Sequence, residues 1–236
     1  MFPDLSTRAH DPEIIDLEEP PFADIDRMHT ELSIINRALG GVRASMAAVT
    51  ARLPAHAQGR VLDLGAGGGD FPRALLRWGR RRRRRVRIVS CDISPVACRN
   101  LVTRLHGETG PSVVQADGRQ LPLGEGSVDV AHAALFLHHF PAETAITLLR
   151  EMARVARYGV VINDLERHAA AYLGIRALTG AFSRSRLIRN DAPLSVRKGF
   201  TRPELEALAR GAGLRAEIDR RWAFRYVLWA PTGRTT

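Results

Sequence analysis

"RVLDLGAGGGD", Arg60 to Asp70, is the stretch on which the fold turns. An apolar run closes at Asp63-Leu64, a bend containing Gly65, Gly67, Gly68 and Gly69 follows, and helical periodicity resumes after it, so a strand gives way to a helix through a tight turn. Glycines in such a turn let backbone approach a ligand closely. The obvious rival is a dinucleotide site, which needs Gly-x-Gly-x-x-Gly. Three positions after Gly67 stands Asp70, so the third glycine is displaced. The carboxylate of Asp63 at the strand end would oppose a pyrophosphate and favour a cationic ligand.

Outward from this bend, short β-rich runs alternate with helical periods. The runs are 60–65, 86–92, 111–117, 127–135, 158–164 and, near the end, 214–230. Such alternation predicts a parallel sheet flanked by helices. Ser94-Pro95 reads as an N-cap with proline at the first helical position, and Thr201 with Glu204 as a capping box. The last run holds two strands with no helix between them, split around Arg220 and Arg221, which predicts an antiparallel hairpin at the sheet edge.

Upstream, Ile25, Met28, Leu32, Ile35 and Leu39 recur at helical spacing, Gly40-Gly41 stops that helix, and a second runs from Val42 to about Leu53. Three zones result. Residues 1–22 are polar and proline-broken, hence poorly ordered or draped over the body. Residues 23–58 form a helical cap, and 59–236 the main domain, with a helical insertion at about 165–198.

Composition bounds the partners. A chain of 236 residues with 45% hydrophobic content buries one substantial core. The net charge of +10 is carried almost wholly by arginine, Lys198 being the only lysine, a skew that points to composition rather than to a nucleic-acid partner. Arg80 to Arg85 precede the second strand, which places them at the amino-terminal edge of the sheet as a solvated charged loop, away from the strand ends where ligands bind. Cys91 and Cys98 match neither a disulfide framework nor a zinc knuckle. The acidic start and the lack of an apolar stretch of about 20 residues predict a cytoplasmic protein without a membrane span.

Asp63-x-Gly65-x-Gly67-x-Gly69, Asp92 closing the second run, Asp117-Gly118 closing the third and Asp129 opening the fourth come in one order over about Gly59 to Ala230. In this the chain resembles a class I S-adenosylmethionine-dependent methyltransferase of the small-molecule, ubiquinone/menaquinone biosynthesis-like branch. The resemblance implies an α/β fold, a Rossmann-like seven-stranded and mostly parallel sheet with an antiparallel C-terminal strand. It also implies S-adenosyl-L-methionine as cofactor and S-adenosyl-L-homocysteine as product. By the same carry-over, Asp63, Gly65, Ala66, Gly67 and Gly69 hold the donor, whose ammonium and sulfonium suit Asp63. Asp92, with Ile93 beside it, accepts from the ribose hydroxyls; Asp117 with Gly118 meets the adenine amino group; Leu135 lines the loop beside the cofactor.

In "LFLHHF", Leu135 to Phe140, His138 or His139 is the candidate base, since imidazole titrates near neutrality; His139 is the first choice. No metal site is expected. Metal-dependent catechol-type relatives carry an acid at the end of the fourth strand and an Asp-Asn pair after the fifth, where this chain has Ala133-Ala134-Leu135 and the reversed Asn163-Asp164. The Asn-Pro-Pro-Tyr signature of nucleic-acid and protein methylators is likewise replaced by Ala134-Leu135-Phe136-Leu137.

The insertion, with Tyr172, Leu173, Ile175, Leu178, Phe182 and Leu187 among arginines, reads as a lid with an apolar inner face or as ordinary helix packing. Arg167, His168, Arg176, Arg186 and Arg189 are candidates to meet an acidic acceptor. The expected activity is O-methylation of an aromatic or polyketide-type hydroxyl by direct displacement. C-methylation of a quinol-like ring is the first alternative, and an RNA-binding methylator or a noncatalytic cofactor module the second. A homo-oligomer is compatible with all of them.

Overall fold

The computed structural model describes residues 3–17, 22–55 and 58–233. Three helices come first, α1 (Ile14–Leu17), α2 (Phe22–Ala38) and α3 (Gly41–Thr50). The main domain follows as β1 (Gly59–Leu64), α4 (Asp70–Arg81), β2 (Val86–Asp92), α5 (Pro95–Arg104), β3 (Pro111–Gln115), β4 (Val128–Ala134), α6 (Ala142–Val155) and β5 (Ala156–Leu165). It closes with α7 (Ala169–Phe182), α8 (Arg186–Lys198), α9 (Arg202–Gly211), β6 (Glu217–Arg221) and β7 (Arg225–Pro231). The seven strands form one sheet in the order β3-β2-β1-β4-β5-β7-β6. β1 to β5 pair in parallel, and β7 runs antiparallel to both of its neighbours.

Side chains alternate across the sheet, and both faces are buried. Val61, Ile88, Val130, Val161 and Val227 share one apolar layer with Val49 of α3, Leu75 of α4 and Leu101 of α5. Leu62, Ala131, Ile162 and Leu228 point the other way, to Leu148 and Met152 of α6 and Leu205 of α9. Two positions on from the first set, at the carboxyl ends of their strands, lie Asp63, His132 and Asn163. Strand parity therefore delivers three polar side chains to one spot beneath α3.

Local signals place the helix ends. Ser94 Oγ accepts from Ala97 N at 3.2 Å with Pro95 next to it, and Thr201 and Glu204 close a capping box. The hairpin differs from expectation. Arg220 and Arg221 belong to β6, the turn falls at Trp222–Phe224, and β7 lies inside the sheet while β6 forms its edge. An edge strand has one unpaired side facing water, which suits the charges that looked like a strand break. The insertion also departs from a simple lid. Leu173 of α7 is 52% exposed and Phe182 81%, whereas α8 buries Leu187, Ile188, Leu194 and Val196; the inward apolar face belongs to α8.

The described part of the opening segment is draped over the body. Arg8 donates through Nε to the Lys198 carbonyl (2.9 Å) and through Nη2 to those of His138 (3.0 Å) and Phe140 (3.3 Å), and Glu13 is buried. Arg80 and Arg81 end α4, and Arg85 O accepts from Gly59 N at the start of β1, so the arginine run sits at the end of the sheet opposite the glycine bend. Arg84 is bonded to the Pro54 carbonyl and covers the Trp78 ring; the rest of the run is exposed. Both cysteines are free, and burial pushes the Cys91 thiol up to about 12.

Candidate active site

The bend after β1 is held by backbone. Gly65 N and Ala66 N donate to the Cys91 carbonyl at 2.8 and 3.2 Å, and Gly65, Gly67 and Gly69 take φ of 68°, 45° and 74°. Gly65 is doubly constrained, because a Cβ there would also lie 2.2 Å from the Phe136 ring. Asp92 at the end of β2 accepts from Gly67 N (3.1 Å) and Ser94 N (3.0 Å). The expected ribose acid is thus fixed against the bend, and Ile93 beside it stands 65% exposed. Asp117, two residues past β3, is paired with Arg119, whose guanidinium and backbone N–H hold its carboxyl below the usual range. Gly118 is buried, and a Cβ there would meet Leu148 and Leu64 at 2.9 and 3.0 Å.

Asp63 has a protein partner that the sequence does not announce. Only 3% exposed, it lies 2.7 Å from His132 Nδ1, and His132 Nε2 lies 2.8 Å from Ser45 Oγ. The Asn163 amide donates to Ser45 Oγ (2.8 Å) and to the Gly41 carbonyl (2.9 Å). One set of protons satisfies this chain: Asn163 donates to Ser45, Ser45 to His132 Nε2, and His132 Nδ1–H to Asp63. Burial raises the Asp63 carboxyl, and the His132 hydrogen bond opposes it. Asp63 is held from the sheet side, by residues of α3, β4 and β5.

The bend itself is roofed by α2. His29 sits over Gly67 and Gly68, Arg104 donates to Asp26 Oδ1 (2.7 Å), and Ser33 Oγ donates to Asp70 Oδ1 (2.6 Å). Burial and Arg104 lower the His29 imidazole. Leu135, the last of the expected cofactor-side positions, takes φ 53° where β4 breaks into the turn carrying Phe136.

In that turn, Leu137–His139, the two histidines separate in role. His138 is 2% exposed; its Nδ1 lies 2.6 Å from Asp164 Oδ1 and its backbone N donates to Asp164 Oδ2 (3.2 Å). Its Nε2 is buried without a hydrogen-bond partner among the described residues. Burial works to raise the Asp164 carboxyl, and its contacts with His138 and the Leu165 backbone N–H outweigh it, leaving the carboxyl below its ordinary value. His139, with its ring centroid 4.2 Å from that of His138, turns its Nδ1 toward Glu13 (3.6 Å). Desolvation, then neighbouring His138 and Lys198, hold the His139 imidazole down to about 3, against the opposing pull of Asp164. Glu13, His138 and His139 have ligand atoms within 4.8 Å of one another, close enough to hold a metal ion. Lys198 Nζ (3.4 Å) and Ser195 Oγ (2.9 Å) already engage the same Glu13 oxygen, so positive charge is supplied there by the chain itself.

A methyltransferase domain model matches residues 61–159. Ubiquinone biosynthesis O-methyltransferases of Xanthomonas oryzae pv. oryzae and Xanthomonas axonopodis pv. citri are 33% and 34% identical, each over 72% of this chain and 67% of their own length. The chain belongs to the class I S-adenosylmethionine-dependent methyltransferases. Among solved structures, a SAM-dependent methyltransferase from Aquifex aeolicus superposes with a TM-score of 0.64 at 16% identity, over 91% of this chain and all of that one (100%). Human N-acetylserotonin methyltransferase in complex with SAM gives 0.65 at 16%, over 89% of this chain and 56% of its own; both show the shared fold.

In this methyltransferase the donor is S-adenosylmethionine, and the order of strands spreads the expected site residues along the carboxyl edge of the sheet. Asp117 and Asp92 stand beyond β3 and β2, the glycine bend beyond β1, and the His138–Asp164 pair beyond β4 and β5. Sequence reading missed Ser45, His132, Asn163, His29, Glu13, Asp164 as partner of His138, and Arg225. A histidine inside "VDVAHAA" and an arginine inside "AFRYVLWA" were the available signals, since neither has an apolar reason to sit in a buried strand.

Proposed function

We propose that this enzyme transfers the methyl group to a hydroxyl oxygen of an aromatic or polyketide-type small molecule. The observation that carries the reading is His138, aimed by Asp164 and with its Nε2 lone pair unspent, on the turn whose Phe136 lies against Gly65. His138 rather than His139 is the base, because only its ring is locked into the tautomer that leaves a proton acceptor. The hydroxyl oxygen forms the new O–CH3 bond as the C–S bond breaks in line, sulfur takes the bonding pair, and the hydroxyl proton passes to His138 Nε2. Alignment does most of the work, since the methyl carbon is already activated by positive sulfur. The names of the curated relatives support oxygen as the acceptor. The arginine run, at the far edge of the sheet, supports no nucleic-acid substrate.

The test is donor-dependent methyl transfer against phenols, naphthols and pyrones, with NMR of the products. Methoxy products support the reading. Products methylated only on ring carbon would overturn it in favour of a quinol-type C-methyltransferase.

A further inference from the structure

Arg225 is a buried cation with too few partners. It opens β7, is 3% exposed, and pairs across the sheet with Leu165 at the carboxyl end of β5. One terminal nitrogen, Nη2, donates to Asn36 Oδ1 at 2.9 Å. Nε and Nη1 are buried without hydrogen-bond partners among the described residues. Burial lowers this guanidinium to about 10, with the charge of Asp164 pulling the other way. The space for it is made by Gly41, where a Cβ would lie 2.9 Å from Arg225 Cζ.

A guanidinium presents five donors in a fixed fork suited to a carboxylate, and a buried charge is costly unless it is paired. Two orphaned nitrogens, carrying three N–H donors, on one buried arginine are therefore an arrangement awaiting an anion. The sheet order says whose anion. β7 lies three strands from β1, about 14 Å at the usual spacing, so Arg225 is displaced from the glycine bend toward the side where His138 and Asp164 stand. Gly41 and Asn36, at the turn between α2 and α3, cover the guanidinium, so an incoming anion reaches it by displacing that turn.

We propose that Arg225 receives a carboxylate of the methyl acceptor, making the preferred substrate a hydroxylated aromatic acid rather than a neutral phenol. This rests on the O-methylation reading and narrows it. The acid lies across the ends of β5 and β7, with its hydroxyl toward His138.

The test uses matched pairs, catechol against dihydroxybenzoate and naphthol against hydroxynaphthoate, with the full chain and its Arg225→Gln variant. Expected is a preference of about tenfold or more for the acid in kcat/KM, collapsing in the variant. Equilibrium binding of the same pairs to protein loaded with S-adenosylhomocysteine reads the preference without turnover, so a failure of the O-methylation reading leaves this comparison intact. A second readout separates a binding role from a structural one. Arg225→Met should hold or raise Tm by about 2 °C in the absence of ligand, because it removes an uncompensated buried charge. Equal affinity for acid and neutral partner overturns the proposal, and so does a lower Tm in Arg225→Met. It falls equally if Arg225→Gln weakens S-adenosylhomocysteine relative to 5′-methylthioadenosine, for then the carboxylate received is the donor's.

Discussion

The two halves of the carboxyl edge are built differently. At β3 and β2 the polar groups are met close by: Asp92 is satisfied by the backbone of Ser94 two residues on and by the adjacent bend, and Asp117 by Arg119 two residues on; Asp63 of β1 is where the long-range pattern begins, with His132 69 positions on. Beyond β4, β5 and β7 they are long-range. Ser45 reaches His132 across 87 positions and Asn163 across 118, and Arg225 reaches Asn36 across 189. On the proposed function, the donor is met mainly by motifs that a few consecutive residues can encode, whereas the acceptor would be met by side chains brought together only by the folded sheet.

The sharpest way to break this contrast is at Gly65. Gly65→Ala should abolish measurable binding of S-adenosylhomocysteine in calorimetry, because positive φ costs about 1–2 kcal/mol for an alanine and the new methyl collides with Phe136. Donor binding that survives the change would mean that the bend does not depend on backbone alone.

Next in size is His138→Ala. It should lower kcat by about 10² to 10⁴ while the affinity for S-adenosylhomocysteine is kept, a split that places the effect on the acceptor side. Asp164→Asn should follow it in direction and also lose stability, about 3 kcal/mol for leaving a buried partner uncompensated, read by denaturant unfolding. His139→Ala, if it proved the more damaging of the two histidine variants, would return the base to the residue that the sequence favoured.

The smallest expected effect tests the seam between the halves. His132→Phe and Ser45→Ala unhook Asp63 from the chain that starts at Asn163. If Asp63 serves the donor's ammonium through this chain, both should weaken S-adenosylhomocysteine about tenfold relative to 5′-methylthioadenosine, which lacks the amino-acid group. His132→Asn, which keeps an N–H near the Nδ1 position, should recover part of the loss. Equal weakening of both ligands would make the chain a purely structural bolt.

The difference between the halves also explains what could be read before folding. The succession of strands and helices, the glycine bend and the positions of Asp92 and Asp117 follow from periodicity and short motifs, because the residues involved are neighbours in sequence. Asp63 was assigned a ligand because its spacing fits one, yet spacing says nothing about the buried His132 that faces it on the adjacent strand. The sequence favours His139 over His138 as the base, since the 3-10 turn that sends one ring to Asp164 and the other to Glu13 leaves no trace in "LHH". Arg220 and Arg221 looked like a strand break because charge in a strand is legible only once that strand is known to lie at an edge.

The grip of Arg8 on the carbonyls of His138, Phe140 and Lys198 carries a consequence for synthesis. Its partners stand 130, 132 and 190 positions downstream, so Arg8 has nothing to grasp until those distant residues have also been synthesised. The turn bearing the two histidines is therefore locked late, when residues made well before it come back to clasp it.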